Sequence, residues 1–209
     1  MDALVQLFWE QGYEATSMAD IVAATGLNKS SLYSSFGSEN QLFEMALDRY
    51  VDFRAGMMNQ LVGNGTQGLD DVTMFLEYLW TEVNDMDEHR CCLAVNTSTE
   101  MGTRDQGVAD IGSRYRSLMR DGLSKAFTRA ANRGEIDAAN VETYTSLMVS
   151  FMIGTAVMVR SGAPDEELRG QIDAAVKTVD SWRLSQTKQT FSMAVSQNDC
   201  RYSPSNCSH

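Results

Sequence analysis

Residues 16–45 read TSMADIVAATGLNKSSLYSSFGSENQLFEM, two short helical segments about a tight turn followed by the start of a third. Ser17 stands where a helix N-cap belongs, and Asp20 three positions on completes a capping box. Ile21, Val22 and Ala24 supply the apolar side of the first segment. Thr25-Gly26 ends it, glycine providing the left-handed residue of a helix stop. Leu27 is expected to return to the core. Asn28 then caps a second segment, Lys29 to Ser35, on which Leu32 and Phe36 point one way while Lys29, Ser30, Ser31 and Tyr33 cover the rest. Ser38, with Gln41 at the third position, caps the helix that follows. A short helix, a glycine turn and a second short helix with a small polar outer face form the pattern of a helix-turn-helix. In that motif the second helix enters the major groove of DNA.

Gly12, the Thr16-Ser17 pair, Ile21, Ala24, Gly26-Leu27, Leu32-Tyr33, Phe36 and Leu42 are spaced as in one known domain. By residue type and spacing, the first fifty or so positions resemble the DNA-binding domain of the tetracycline-repressor (TetR) family. The resemblance implies an all-α homodimeric repressor with a divergent ligand-sensing domain. The fold expected is a three-helix helix-turn-helix domain at 1–46 and a helical ligand-binding and dimerisation domain at 47–183. About nine helices are expected in all, with a tail at 184–209. The resemblance also sets Ser17 and Tyr33 where the family contacts phosphate. Family members often carry Gly at the place of Ser30 and His at that of Ser35, so a base preference does not carry over. They commonly have Lys where Glu39 stands, and a basic arm before the first helix, within which Met1 already lies.

The chain has 209 residues, 43% of them hydrophobic, with only two prolines. That is enough to bury a core and suits a mostly helical protein of one or two small domains. No apolar run is expected to reach the eighteen or so residues of a membrane helix, and no signal peptide opens the chain, so a cytosolic location is the expectation. Four cysteines (Cys91, Cys92, Cys200, Cys207) do not make a secreted disulfide framework. The net charge of −11 runs against phosphate binding, and the first fifty residues carry two cations against seven carboxylates. Two histidines and the lack of a nucleophile elbow, phosphate loop or zinc-protease motif argue against an enzyme. No cofactor is expected.

Beyond the opening stretch, apolar residues recur at helical spacing. Asp2 to Gln11 makes a first helix, with Leu4, Leu7 and Phe8 on one face. A fourth, about 39–61, carries Leu42, Phe43, Ala46, Leu47, Tyr50, Phe53 and Met57, and is a continuous lever shared by two domains. Further helices are expected near 67–84, 91–101, 105–133, 143–160 and 165–182. From Leu184 the sequence loses its period and is rich in Ser, Gln and Asn, so an unstructured tail is expected.

Three sites follow. At a DNA surface, Ser17, Lys29, Ser30, Ser31, Tyr33 and Ser35 offer a cation and hydroxyls for phosphates or base edges, although each Ser serves equally as a cap or a solvated residue. In the C-terminal part, Met74, Tyr78, Trp80, Met101, Tyr115, Met119, Phe151 and Met152 exceed what a small rigid core needs. Flexible methionine suits an irregular pocket for a small apolar or aromatic effector, with ordinary core packing the alternative. Cys91 and Cys92 open a helix, where the dipole favours a thiolate and redox sensing, or else simply pack as small residues. The last two helices are expected to pair with their copies in a homodimer, Gly154 and Ala175 permitting close approach. The expected partners are an operator duplex, a small effector and a second subunit. The alternative is a dimeric small-molecule or thiol-redox sensor whose DNA binding is weakened or lost.

Overall fold

A computed structural model describes residues 1–85 and 92–184. These form nine α-helices and no strand: α1 (Asp2–Gln11), α2 (Met18–Thr25), α3 (Lys29–Phe36), α4 (Glu39–Met58), α5 (Leu69–Asp85), α6 (Leu93–Met101), α7 (Gln106–Asn132), α8 (Val141–Arg160) and α9 (Asp165–Ser181). The caps read from the sequence are formed. Ser17 and Asp20 close a full capping box, Ser38 and Gln41 another, and Gly26 stops α2 in the left-handed region at φ 67°. The lever helix ends earlier than the sequence suggests. After Met58 it loosens into a π-helical turn, Asn59–Gly63.

α1, α2, α3 and the first half of α4 share one core. Ile21 and Leu32 are buried in it, and the Phe8 and Phe43 rings meet edge-on at 4.8 Å. Three apolar positions read as interior face solvent instead. Leu27 is exposed because its backbone is committed to the turn between left-handed Gly26 and the cap Asn28. Ala24 is also exposed, leaving Ile21 and Val22 to hold α2. Phe53 is 62% exposed. The buried stripe of α4 passes through Tyr50, Val51 and Met58, which turns Phe53 towards a groove beside Trp9 and Val5.

α4 runs on from this head into the C-terminal body, whose centre is α7. Arg114 of α7 reaches Asp48 at 2.5 Å and Asp52 at 2.8 Å on α4. At the far end Arg129 joins three pieces of chain, donating to the carbonyls of Val62 (2.5 Å) and Gly63 (2.8 Å) and to Asp71 (2.8 Å). The Asp71 carboxylate also accepts from the amides of Gln67 and Gly68, so it caps α5 while holding the π-turn in place. Tyr144 and Trp182 stack at 3.9 Å with Phe127 beside them, closing α9 over α7 and α8. The amide of Leu184 donates to the Glu135 carbonyl; the remainder of the expected tail lies outside the described residues.

α8 corrects one expectation. With the turn before it, residues 138–160 are long and apolar enough by composition to cross a membrane, an 18-residue window within them having a mean hydropathy of 1.2. Only 17% of that window is buried, so the helix is apolar outside as well as inside. Leu147, Ser150, Gly154, Val157 and Ser161 form a continuous exposed stripe. Ala175, read as a contact for a partner, instead lies in the core, and Gly170, Ala174, Thr178 and Ser181 form the small outer face of α9.

Candidate DNA-binding face and effector cavity

The outer face of α3 is built by two local devices. Asn28 Oδ1 accepts from the Ser31 amide at 2.8 Å, which starts the helix, and buried Leu32 fixes its rotation. Lys29, Ser30, Tyr33 and Ser35 are consequently exposed, while Ser31 is half-buried. Lys29 Nζ lies 5.8 Å from the centre of the Tyr33 ring, an exposed cation–π pair. The Ser17 hydroxyl is engaged locally, donating to Asp20 at 2.5 Å and accepting from its amide. That bond and the Ser17 amide hold the Asp20 carboxyl below the usual carboxylate range. Arg49, the other cation of the first fifty residues, pairs with Asp2 at 2.6 Å. Lys29 is the positive charge on the face itself.

A cavity of about 60 Å³ opens inside the C-terminal body between α4, α5, α6, α7 and α8. Of the residues expected there, Tyr115, Met119 and Met152 line it, and Cys92 joins them. Tyr78 lines a smaller adjoining cavity that shares Tyr115, Met119 and Met152. The other four lie elsewhere. Met74 is 67% exposed, because α5 buries Val72, Phe75 and Leu76 and turns Met74 away. Trp80 sits under the Arg169 guanidinium at 5.6 Å. Met101 packs on the N-terminal core and Phe151 on the C-terminal one. Cys91 lies outside the described residues.

The polar centre of the cavity escaped the sequence reading. Arg54 of α4 and Glu82 of α5 form a two-pronged ion pair, Nη1–Oε1 2.6 Å and Nη2–Oε2 3.0 Å, with side chains only 13% and 16% exposed. The Tyr78 hydroxyl donates to Glu82 at 3.2 Å, and the Cys92 thiol donates to the Tyr115 hydroxyl at 3.2 Å. Burial, reinforced by the neighbouring Cys92, pushes the Tyr50 and Tyr115 phenols well above their usual range. Burial also opposes the charge on Arg54, and the paired Glu82 carboxylate, with its two hydrogen bonds, favours it. A signal was present in the sequence: Arg54 and Glu82 interrupt apolar stripes, Arg54 three residues beyond Val51 and Glu82 three beyond Leu79. Apolar walls around a few convergent polar groups are the make-up of a small-molecule site.

Comparison with known proteins bears on the N-terminal helices and on the fold. Residues 1–46 match the family model described as bacterial regulatory proteins, tetR family. The HTH-type transcriptional repressor ComR of Escherichia coli K12 is 28% identical over 170 residues, covering 80% of this chain and 81% of its own. YezE of Bacillus subtilis, an uncharacterised HTH-type transcriptional regulator, is 22% identical over 84% of this chain and 92% of its own. Among solved structures, reduced E. coli NemR superposes with a TM-score of 0.74 at 15% identity, covering 85% of this chain and 94% of that one. The TetR-family regulator CifR, as a cysteine mutant with 26-base-pair operator DNA, gives 0.74 at 22% identity, with 84% and 93% covered. Its first 46 residues thus match the DNA-binding domain of the tetR family, and along most of its length the chain is similar to HTH-type transcriptional regulators.

Proposed function

We propose that the chain is a homodimeric repressor that binds a near-palindromic operator and is released by a small, mostly apolar effector. The observation that carries this reading is the position of the cavity: its wall includes Tyr50 and Arg54 of α4, the helix that begins in the DNA-binding head. A molecule entering there bears directly on the element that orients α3. Two copies of α3 reading successive major grooves would sit about one helical turn, roughly 34–36 Å, apart. Lys29, Ser30, Ser31, Tyr33 and Ser35 are assigned to the duplex, Ser17 through the amide end of α2 more than through its occupied hydroxyl. For release, the effector must bind the form that does not fit DNA more tightly; a hundredfold preference corresponds to about 2.7 kcal/mol of coupling. The dimer is assigned to the exposed faces of α8 and α9. Gly154 and Gly170 leave open space around their Cα atoms, where two helices from a partner can approach closely to complete a bundle.

Fluorescence anisotropy on DNA from upstream of the chain's own gene, titrated with salt, tests the reading. Specific binding that weakens as salt rises supports it. Failure to bind any such segment, followed by failure in a genome-wide site selection, would overturn it.

One observation favours a second reading. The Cys92 sulfur lines the cavity and donates to the Tyr115 hydroxyl. In that reading an electrophile or oxidant modifies Cys92, and the head, with its acidic balance, binds DNA weakly or not at all. Mass spectrometry after brief treatment with N-ethylmaleimide separates the two, since a Cys92 that stays unmodified while the protein is folded excludes the thiol sensor.

A further inference from the structure

We propose that the cavity takes a small carboxylic acid, whose carboxylate binds the Arg54 guanidinium in competition with Glu82 and so loosens α4 from α5. This rests on the effector site proposed above and names its ligand chemistry. Arg54 belongs to the helix that carries the DNA-binding head and Glu82 to the sensing body, so their pair is a latch across the cavity. Three of the accepting positions of Glu82 are taken, two on one oxygen by Arg54 and Tyr78 and one on the other by Arg54. What remains for a ligand is a set of donors. The Tyr115 hydroxyl accepts from Cys92, which leaves its own proton free to donate. The Tyr50 phenol is engaged with the Cys92 sulfur and Arg54 also bonds the Tyr115 oxygen, so the donors left are the Tyr115 proton and a remaining terminal N–H of Arg54.

A cation would face the Arg54 charge and find only the last accepting position of Glu82 Oε2 and the Thr155 hydroxyl, and a hydrocarbon would leave the donors unanswered. A carboxylate is flat, accepts from several directions and matches the guanidinium fork. The space fits roughly four or five water molecules, the size of a short-chain acid such as butyrate. An aromatic acid such as benzoate requires Met119 and Met152 to swing. Both also line the adjoining cavity, so their movement would join the two spaces.

The test is isothermal titration of the full chain with matched probes: butyrate and benzoate, their amides, and butylamine and benzylamine. Each acid is expected to bind at least about tenfold more tightly than its amide, and the amines not at all. The preference should vanish in the double variant Arg54→Gln with Glu82→Gln, which removes both charges together and leaves neither buried alone. Tyr115→Phe, which keeps the ring packing, provides a second variant and should weaken acid binding several-fold. Equal binding of acid and amide, preferred binding of an amine, or no acid binding at millimolar concentration overturns the proposal, as does an acid preference that survives in the double variant. Operator affinity measured on the same samples separates this from the broader reading. Release by the acids supports the latch. Acid binding without release overturns the latch, and release by a non-acid alone overturns the acid assignment while the repressor reading stands.

Discussion

Single residues decide whether the head is built at all. Gly26 is the clearest: its φ of 67° is a conformation that side chains with a Cβ rarely adopt, and a Cβ placed there meets nothing within 4 Å. Any penalty at this position is therefore backbone alone. Gly26→Ala is expected to cost about 1 kcal/mol in urea unfolding, and Gly26→Asn less, because Asn tolerates the left-handed region. Tyr50 and Tyr115 make a prediction about pH. Their folded pKa values lie above the 10.0 of an ordinary phenol, so the unfolded chain releases these protons first as pH rises. The stability from keeping them neutral is full below pH 10 and is lost as pH climbs from there through the folded values. The urea midpoint should thus be insensitive to these groups up to about pH 9 and fall above 10. In the double variant Tyr50→Phe with Tyr115→Phe the fall should be shallower; an equally steep fall would show that other groups drive it.

At the scale of elements, helix ends follow from their neighbours and helix joints from distant ones. Ser17→Ala or Asn28→Ala removes one cap, and each is expected to lower stability by about 1 kcal/mol. Arg129→Met should do more, about 3 kcal/mol, since it strands the buried Asp71 and the two carbonyls of the π-turn. Hydrogen exchange should then show lost protection at 59–63 before any change in the head; uniform loss would mean that the joint is not local. The caps at Ser17, Asn28 and Ser38 were legible in the sequence because a cap and its partner lie three residues apart. The staple at Arg129 was not, since it joins residues 58 and more positions away. The cavity was half legible for a related reason. Residue type suggested Tyr115, Met119 and Met152 together with Met74, and only the rotation of α5 separates the last from the others. Arg54 and Glu82 interrupt the apolar stripes of two separate helices, and their pairing appears only when both helices are in place.

For the whole molecule, the exposed faces of α8 and α9 matter most. If the proposed dimer forms through these faces, Leu147→Asp or Gly154→Arg should leave a monomer by light scattering and cut operator affinity at least about tenfold, since one head then binds in place of two. A variant that stays dimeric would move the interface elsewhere. The apolar outer side of α8 has a further consequence, one of supply. A surface that must be covered ties folding to encounter, so the melting temperature should climb with protein concentration, by mass action. Below the concentration at which subunits find each other, the chain would lose its operator and its resistance to proteases together. The abundance of such a regulator would then have a floor set by its own eighth helix.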